Sequence, residues 1–289
     1  MREIRDFHCT YDNSIGIYGD VAGRLGLSFP DAYLHAGTMA ELSKALKQYD
    51  GAAFCELPFC HTVEAEAMGG SIQYGDAVAG PRAKEYVCNS LEEVLALPAI
   101  DFGSGRIHEV LLACQMLKES GEHVVLEVSG PFTILNVLID AKYVFKGMKK
   151  KPELVKEVFW KLGVQILAFM EEAKRYGAEF ISYADSSGSV SILGPHMVRQ
   201  VAEGFTRDFL KKARQIADEN TMLLLCPKTT FALLGLGMLT FRDRLLAEPM
   251  RYGDACLSMK GTVKIAGQTC IKNINYRLES RIFKEIVLV

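Results

Sequence analysis

The chain has 289 residues, 49% hydrophobic and 24% charged, with a formal net charge of −2. That is enough apolar material for a large core, and the near-neutral balance gives no footprint for nucleic acid or an anionic membrane as partner. No apolar run approaches the roughly 20 residues that span a bilayer, the opening MREIRDFHCTYDNS is too polar for a signal peptide, and the eight scattered cysteines read as reduced thiols, so a cytoplasmic protein is expected.

Residues 1–50 offer no strong strand; Val21–Leu27 and Thr38–Tyr49 read as helices, the second with Met39, Leu42, Leu46 and Tyr49 on one stripe. Gly51–Phe54 reads as a first buried strand, with Cys55, Glu56, Cys60 and His61 beyond it. A helix is expected over Thr62–Met68 and a short strand over Ser71–Tyr74. Ser90–Leu97 carries a capping box, with Ser90 as N-cap and Glu93 three residues on. Arg106–Ser120 reads as a helix and His123–Val128 as a near-continuous apolar strand of the parallel type. Ser129-Gly130-Pro131-Phe132-Thr133 ends that strand, and a helix restarts over Ile134–Ile139. The run Lys149-Lys150-Lys151-Pro152 precedes a long helix over Glu153–Tyr176, which Gly177 suits as C-terminal cap.

The strand Phe180–Ala184 then stops on Asp185, with Ser186, Ser187, Gly188 and Ser189 after it. These small polar residues suit a ligand-facing loop; they equally suit capping of the next helix. Met197–Ile216 reads as helical and Thr221–Leu225 as a strand ending on Cys226. A strand is expected at Ala255–Met259, and Val263–Ala266 leads to Cys270. Short apolar strands alternating with helices indicate a βα repeat and a parallel sheet, and a single-domain (β/α)8 TIM-like barrel is expected over 51–289, with 1–50 packed on it. Gly103–Gly105 and Gly235–Gly237 lack the strand and third glycine of a dinucleotide fingerprint.

Chemistry is expected at the strand ends. Cys226 and Cys270 are a plausible pair of soft ligands for zinc, although neither lies in a C-x-x-C and both could be plain buried thiols. His61 and Asp185, each just beyond a strand, are candidates to complete a metal site. His61 with Glu64 and Glu66 is alternatively an acid–base group, or Glu64 merely complements a helix dipole. Arg106 and Arg82 are candidates for binding a carboxylate or phosphate, or are surface charges. His108, His123 and His196 read as structural.

VEAEAMGGSIQYGD (63–76), Gly105-Arg106 with VLLACQMLKESGE, LEVSGPFTILNVLI (126–139), ISYADSSGSVSILGP (181–195) and the Cys226 and Cys270 strand ends together resemble the uroporphyrinogen decarboxylase superfamily, over most of the chain from about residue 35. The resemblance implies a (β/α)8 barrel with its site at the C-terminal rim. The arginine-rich signature of the decarboxylases proper is missing: IGIYGDVAGRLGLSFPD holds only Arg24. The Ala65–Gly69 and Ser129–Thr133 segments look like the methylcobamide:coenzyme M methyltransferase branch. That branch binds zinc through an H-x-C pair and a distant Cys; Cys226 and Cys270 match the thiols, but Leu224 stands at the His position and Pro227 comes directly after the first thiol.

The resemblance thus implies a corrinoid-dependent methyltransferase, zinc-assisted, moving a methyl group from a methylcorrinoid to a thiol or other small acceptor. Asp185, His61 and Glu64 would be catalytic, Ser129, Ser186 and Arg106 would bind substrate, and Cys226 and Cys270 would hold metal. Without a D-x-H-x-x-G motif, the corrinoid is expected on a separate corrinoid protein or as free cobalamin. The alternatives are a tetrapyrrole (porphyrin-precursor) decarboxylase and a non-catalytic corrinoid- or tetrapyrrole-binding barrel.

Overall fold

The structure is a computed structural model that describes residues 17–289 together with Ile4, Phe7 and Cys9; the remainder of the expected N-terminal segment lies outside the described residues. Nine strands are present among the described residues: β1 (Cys55–Leu57), β2 (Ser71–Gln73), β3 (Arg82–Glu85), β4 (Val124–Ser129), β5 (Phe180–Ala184), β6 (Met222–Leu225), β7 (Leu239–Leu245), β8 (Ile265–Ala266) and β9 (Ile282–Leu288). Seven form one sheet in the order β1-β4-β5-β6-β8-β9-β7, while β2 and β3 form an antiparallel pair of their own. From β1 to β8 every ladder in that sheet is parallel, and each new strand is added on the same side, the winding of an α/β barrel. Helices connect these strands, and the whole is one α/β domain of the TIM-barrel type.

Strand alternation separates two apolar cores. Val124, Leu126, Val128, Ile181, Tyr183, Leu223 and Leu225 face the helical layer. Val125, Phe180, Met222, Leu224 and Ala266 face the other way and meet Phe54, Phe283 and Tyr252 in the barrel interior. Registers Val125↔Phe180↔Met222 and Glu127↔Ser182↔Leu224↔Ala266 stack these inward residues in layers. Val124–Ser129 is buried along its whole length because both faces are covered, which is why it reads as a nearly unbroken apolar run.

The barrel departs from a uniform βα repeat after β6. The last part of the sheet is an antiparallel ladder, Leu239–Leu245 against Ile282–Leu288, with β9 also antiparallel to β8. Its charged residues pair across the strands: Arg244 Nε donates to Glu285 Oε2 at 2.8 Å, and Lys284 Nζ to Asp243 Oδ1 at 3.0 Å. Among the described residues no ladder joins β1 to the far edge β7. The helix Tyr252–Met259 packs beside β1 instead: a Cβ on Gly253 would lie 2.9 Å from that of Ala53, and Arg251 Nη1 donates to Gly51 O at 2.6 Å.

That helix corrects the strand expected at Ala255–Met259. Tyr252, Ala255 and Cys256 recur at helical spacing and are all buried, and Arg251 pairs with Asp254 three residues on at 2.9 Å; a five-residue apolar run is too short to separate the two periods. The first strand also begins later than expected. Gly51, with φ 62°, caps the helix Ala36–Asp50, so pairing starts only where Cys55 N donates to His123 O at 2.8 Å. The expected helix Met197–Ile216 is interrupted: Val190–Val201 leads into a π-helical turn over Ala202–Thr206, then Arg207–Ala213. The capping box holds, with Glu93 N donating to Ser90 Oγ at 3.2 Å and Glu93 Oε2 accepting from Asn89 N at 2.7 Å.

Two ionic features fix the strand ends. On the rim, the turn Ser129–Thr133 is held from both sides by carboxylates, the buried Glu64 and the half-buried Asp185. Glu64 Oε1 accepts from Ser129 N at 2.6 Å; Asp185 Oδ1 accepts from Thr133 N at 2.9 Å and Thr133 Oγ1 at 3.0 Å, with Phe132 N at 3.3 Å from Oδ2. Gly130 sits between them, and a Cβ there would fall 2.3 Å from Asp185 Cβ. At the opposite end, Glu179 is 7% exposed and receives Lys118, His123 at 2.6 Å and Lys260 at 3.1 Å. Although burial works against it, these hydrogen bonds hold Glu179 down at about 2.

Gly130→Ala is expected to destabilise the fold by about 1–3 kcal/mol through overpacking, read as a lower urea midpoint at unchanged slope. Glu179 ionises more easily folded than unfolded, so its contribution is full above the unfolded carboxyl range and is lost as pH falls from about 4.5 towards about 2. Glu179→Gln should cost about 2 kcal/mol at pH 7, discounted because Lys118 and His123 are partly solvent-screened. Urea melts at pH 7, 4 and 3 check this; the gap to wild type should narrow with each step down.

Candidate functional site

The rim is built from the residues just beyond the C-terminal end of each parallel strand. Asp185 lies directly after β5 and aims its carboxylate at the N-terminus of the helix Pro131–Leu138. Burial pushes it up to about 6, against the three donors of Phe132 and Thr133 that favour the charged form. Gly188 lets the next turn pass close, since a Cβ there would lie 3.0 Å from Asp185 Oδ2. Ser186 opens that turn, Ser186–Gly188, and is half-buried. Beside it lies an open cleft of about 440 Å³ lined by Tyr183, Asp185, Ser189, Lys228 and Thr229 among others. Several of its walls belong to the helical layer, so the cleft sits to one side of the barrel axis.

Glu64 lies on the helix Val63–Ala67 after β1, at 1% exposure. Burial raises it, while the Ser129 N–H and hydroxyl and the nearby His61 pull it down. The structure therefore brings His61, Glu64 and Ser129 together, with Glu64 spent on the β4 turn. Ser129 itself is 2% exposed.

Arg106, at the start of the helix Gly105–Glu119, is buried. Nε donates to Glu66 Oε2 at 2.7 Å, Nη2 to Thr62 Oγ1 at 2.7 Å and Nη1 to Cys60 Sγ at 3.1 Å, and the guanidinium lies 5.6 Å from the Tyr74 ring centroid. The planar fork is occupied by partners from one loop and helix. It ties the segment after β1 to the helix Gly105–Glu119.

Cys226 comes directly after β6, at the N-cap of the helix Pro227–Leu236. Burial raises its thiol, opposed by the Lys228 and Thr229 N–H groups. Cys270 is pushed up to about 12, first by burial and then by Cys226, Glu127 and Cys9. The two thiols anticipated as partners are thus electrostatic neighbours. Leu224, two residues before Cys226, shares its inward strand face and is 3% exposed, packed with Met222 and Phe180. Where a His would offer a nitrogen to the same space, this chain offers a methyl group. Among the described residues, no group of three or more His, Cys, Asp or Glu side chains could hold a metal ion. As placed, the donor set falls short of the zinc site that the resemblance implies.

Sequence reading missed the polar layer beneath these thiols. Lys272 Nζ lies 2.8 Å from Glu127 Oε2 and 3.9 Å from Glu56 Oε2, inside the barrel. Burial pushes Glu56 up to about 7, with Lys272 opposing and Glu127 adding to it. The signal was present: Glu127 is the lone charge in an otherwise apolar strand, and an inward charge there requires a partner.

Comparison with known proteins places this geometry. The chain is 27% identical over 244 residues to a methylcobamide:CoM methyltransferase MtaA of Methanosarcina barkeri, covering 83% of this chain and 70% of that one. It is 25% identical over 208 residues to a methylcobamide:CoM methyltransferase MtbA of Methanosarcina acetivorans, covering 71% and 61%. A solved methyltransferase from Methanosarcina mazei superposes with a TM-score of 0.66 at 24% identity, over 78% of this chain and 66% of that one, which shows a common fold. This chain therefore spans only about two thirds of the length of these relatives. No helix among the described residues is long and apolar enough to cross a membrane. Residues 18–238 match the family described as uroporphyrinogen decarboxylase (URO-D), and the chain belongs to that family.

Proposed function

We propose that this chain is a corrinoid-dependent methyltransferase, which takes a methyl group from a methylated corrinoid and passes it to a thiol or another small acceptor. The observation that carries the reading is the neighbouring pair of thiols, Cys226 and Cys270, set beside the rim of a barrel whose relatives are named methylcobamide:CoM methyltransferases. In the transfer, the acceptor's sulfur forms a bond to the methyl carbon as the cobalt–carbon bond breaks. The bonding pair stays on cobalt, and the acceptor's proton goes to a base. Asp185 is the base we assign, because it is ionised above about pH 6 and held rigidly by three donors. His61 is the second acid–base candidate, and Glu64 positions the β4 turn that orients Asp185. Ser186, half-buried one residue after Asp185, would contact the substrate.

Cys226 and Cys270 would be the zinc ligands, a metal that, when bound, favours the thiolate form of a sulfur acceptor. The corrinoid would come from outside the chain, on a separate corrinoid protein or as free cobalamin. The tetrapyrrole decarboxylase reading needs cations free to meet substrate carboxylates. Arg106 is bound to Glu66 and Thr62, and Arg24 is a surface residue 3.6 Å from Asp20, so this reading has less support.

Supplied with methylcobalamin and a panel of thiols, the protein should release cob(I)alamin, monitored by absorbance. Coproporphyrinogen formed from uroporphyrinogen with no cob(I)alamin would favour the decarboxylase, and neither product would favour a non-catalytic binding barrel. Asp185→Asn should lower the transfer rate by roughly 10²–10⁴-fold. Wild-type activity should rise as pH passes through about 6, where Asp185 loses its proton, and the variant's profile should lose that rise.

A further inference from the structure

The cleft beside Asp185 has a two-sided lining that the transfer chemistry does not use. One set of its residues is apolar: Phe132 on the helix after β4, Val198 and Ala202 on either side of a helix junction, and Ala232 and Leu233 on Pro227–Leu236. The turn Ala202–Thr206 is π-helical and both of its end residues line the cleft; such turns inside helices are frequent at functional sites. The other set is polar, with the hydroxyls of Ser189 and Thr229 and the ammonium of Lys228. Lys228 is half-buried near the start of Pro227–Leu236, and no carboxylate among the described residues forms an ion pair with it. Asp185 also lines the cleft, but its oxygens accept from the N–H groups of Phe132 and Thr133. A half-buried cation left without a counter-charge beside an apolar wall suits a molecule that brings one negative charge and an apolar body.

We propose that this cleft is a binding site for a small amphipathic monocarboxylate, with Lys228 meeting the carboxylate and the π-helical turn lying along an apolar body of roughly four to six carbons. One cation fixes the charge of the ligand. A phosphate dianion would leave a negative charge uncompensated, and Asp185 in the same cleft opposes a second one. A carboxylate can accept from the ammonium and from a neighbouring hydroxyl at once. The size follows from the space, an open cleft of about 440 Å³ kept clear by small residues. At Gly188 a Cβ would lie 2.8 Å from Phe132 Cδ2, so a larger residue there would push that ring out of the wall. The site goes beyond the methyltransferase reading and does not rest on it: no corrinoid, zinc or thiol enters the argument.

The test is binding to the full chain, read by calorimetry at pH 7 without turnover. Hexanoate should bind, with affinity rising about fourfold per added methylene from butanoate to hexanoate, the gain expected for burying each one. Lys228→Gln should weaken hexanoate roughly tenfold or more, the loss expected for a charged hydrogen bond, and Lys228→Arg should restore most of it. Hexanol, which has no charge, should bind weakly and equally to the wild type and Lys228→Gln. Hexanoate carrying a terminal diazirine should label residues 198–206 on irradiation, as read by peptide mass spectrometry. Unchanged hexanoate affinity in Lys228→Gln would overturn the proposal, as would hexanol binding as well as hexanoate or hexyl phosphate binding better. So would labelling confined to other segments, or no binding at any chain length. Cob(I)alamin released by a protein that fails to bind hexanoate would leave methyl transfer standing and remove this site. Lys228-dependent hexanoate binding in a protein that releases none would do the reverse.

Discussion

The rim depends on one arrangement: a strand-to-helix turn gripped by two carboxylates, the buried Glu64 and the half-buried Asp185. Glu64 reaches it from the segment after β1 and Asp185 from the end of β5, and between them they hold the N–H groups of Ser129, Phe132 and Thr133. Three consecutive parallel strands are thereby locked at their C-terminal ends by hydrogen bonds to ionisable acceptors, stronger than neutral ones. The cost is desolvation, which raises both acids. Asp185 can then be held rigidly and yet change its proton near neutrality. Gly130 permits this approach, since any side chain would occupy the space of the Asp185 Cβ.

Deeper in the barrel, a second polar layer obeys the same logic. Glu56 and Glu127 point inward from neighbouring strands, and Lys272 descends from the segment after β8 to meet both. Burial is the main reason Glu56 tends to keep its proton, opposed by Lys272 and reinforced by Glu127. Lys272 lies two residues after Cys270, so the ion pair also fixes the backbone that carries the thiol. A buried cluster of this kind is a specificity device for the loop: removing one member would strand a charge in the interior.

Much of this was legible in the sequence, for local reasons. Phe180–Ala184 was readable to the residue because it is apolar on both faces and bounded by Gly177 and Asp185. The Ser90 capping box was readable because its signal is contained in four residues. What failed was decided by distant contacts. The helix Tyr252–Met259 reads as a strand until Arg251–Asp254 and the packing on Ala53 are seen. The ladder of β7 with β9 hides in FRDRL, whose charges look like a loop until Glu285 and Lys284 lie opposite. Asp185 could be picked out as a strand-end carboxylate, but its hold on Thr133, 52 residues away, could not. Arg106 could be picked out at a helix start, but its contacts with Glu66, Cys60 and Thr62, 40 to 46 residues away, could not.

The thiol pair shows how a barrel can keep a rim while one of its contributors changes. Leu224 is not a neutral replacement for a polar inward residue, because it joins Met222, Phe180 and Phe54 in a continuous apolar interior. That continuity extends across the interior to Phe54 and Tyr252, on the side where a helix packs beside β1. An imidazole at 224 would put a hydrogen-bonding ring into this layer, and its desolvation would be offset only by a bound partner. A leucine there removes that penalty and leaves Cys226 and Cys270 as the polar groups above it. The apolar layer around Leu224 therefore needs no bound partner to offset its burial.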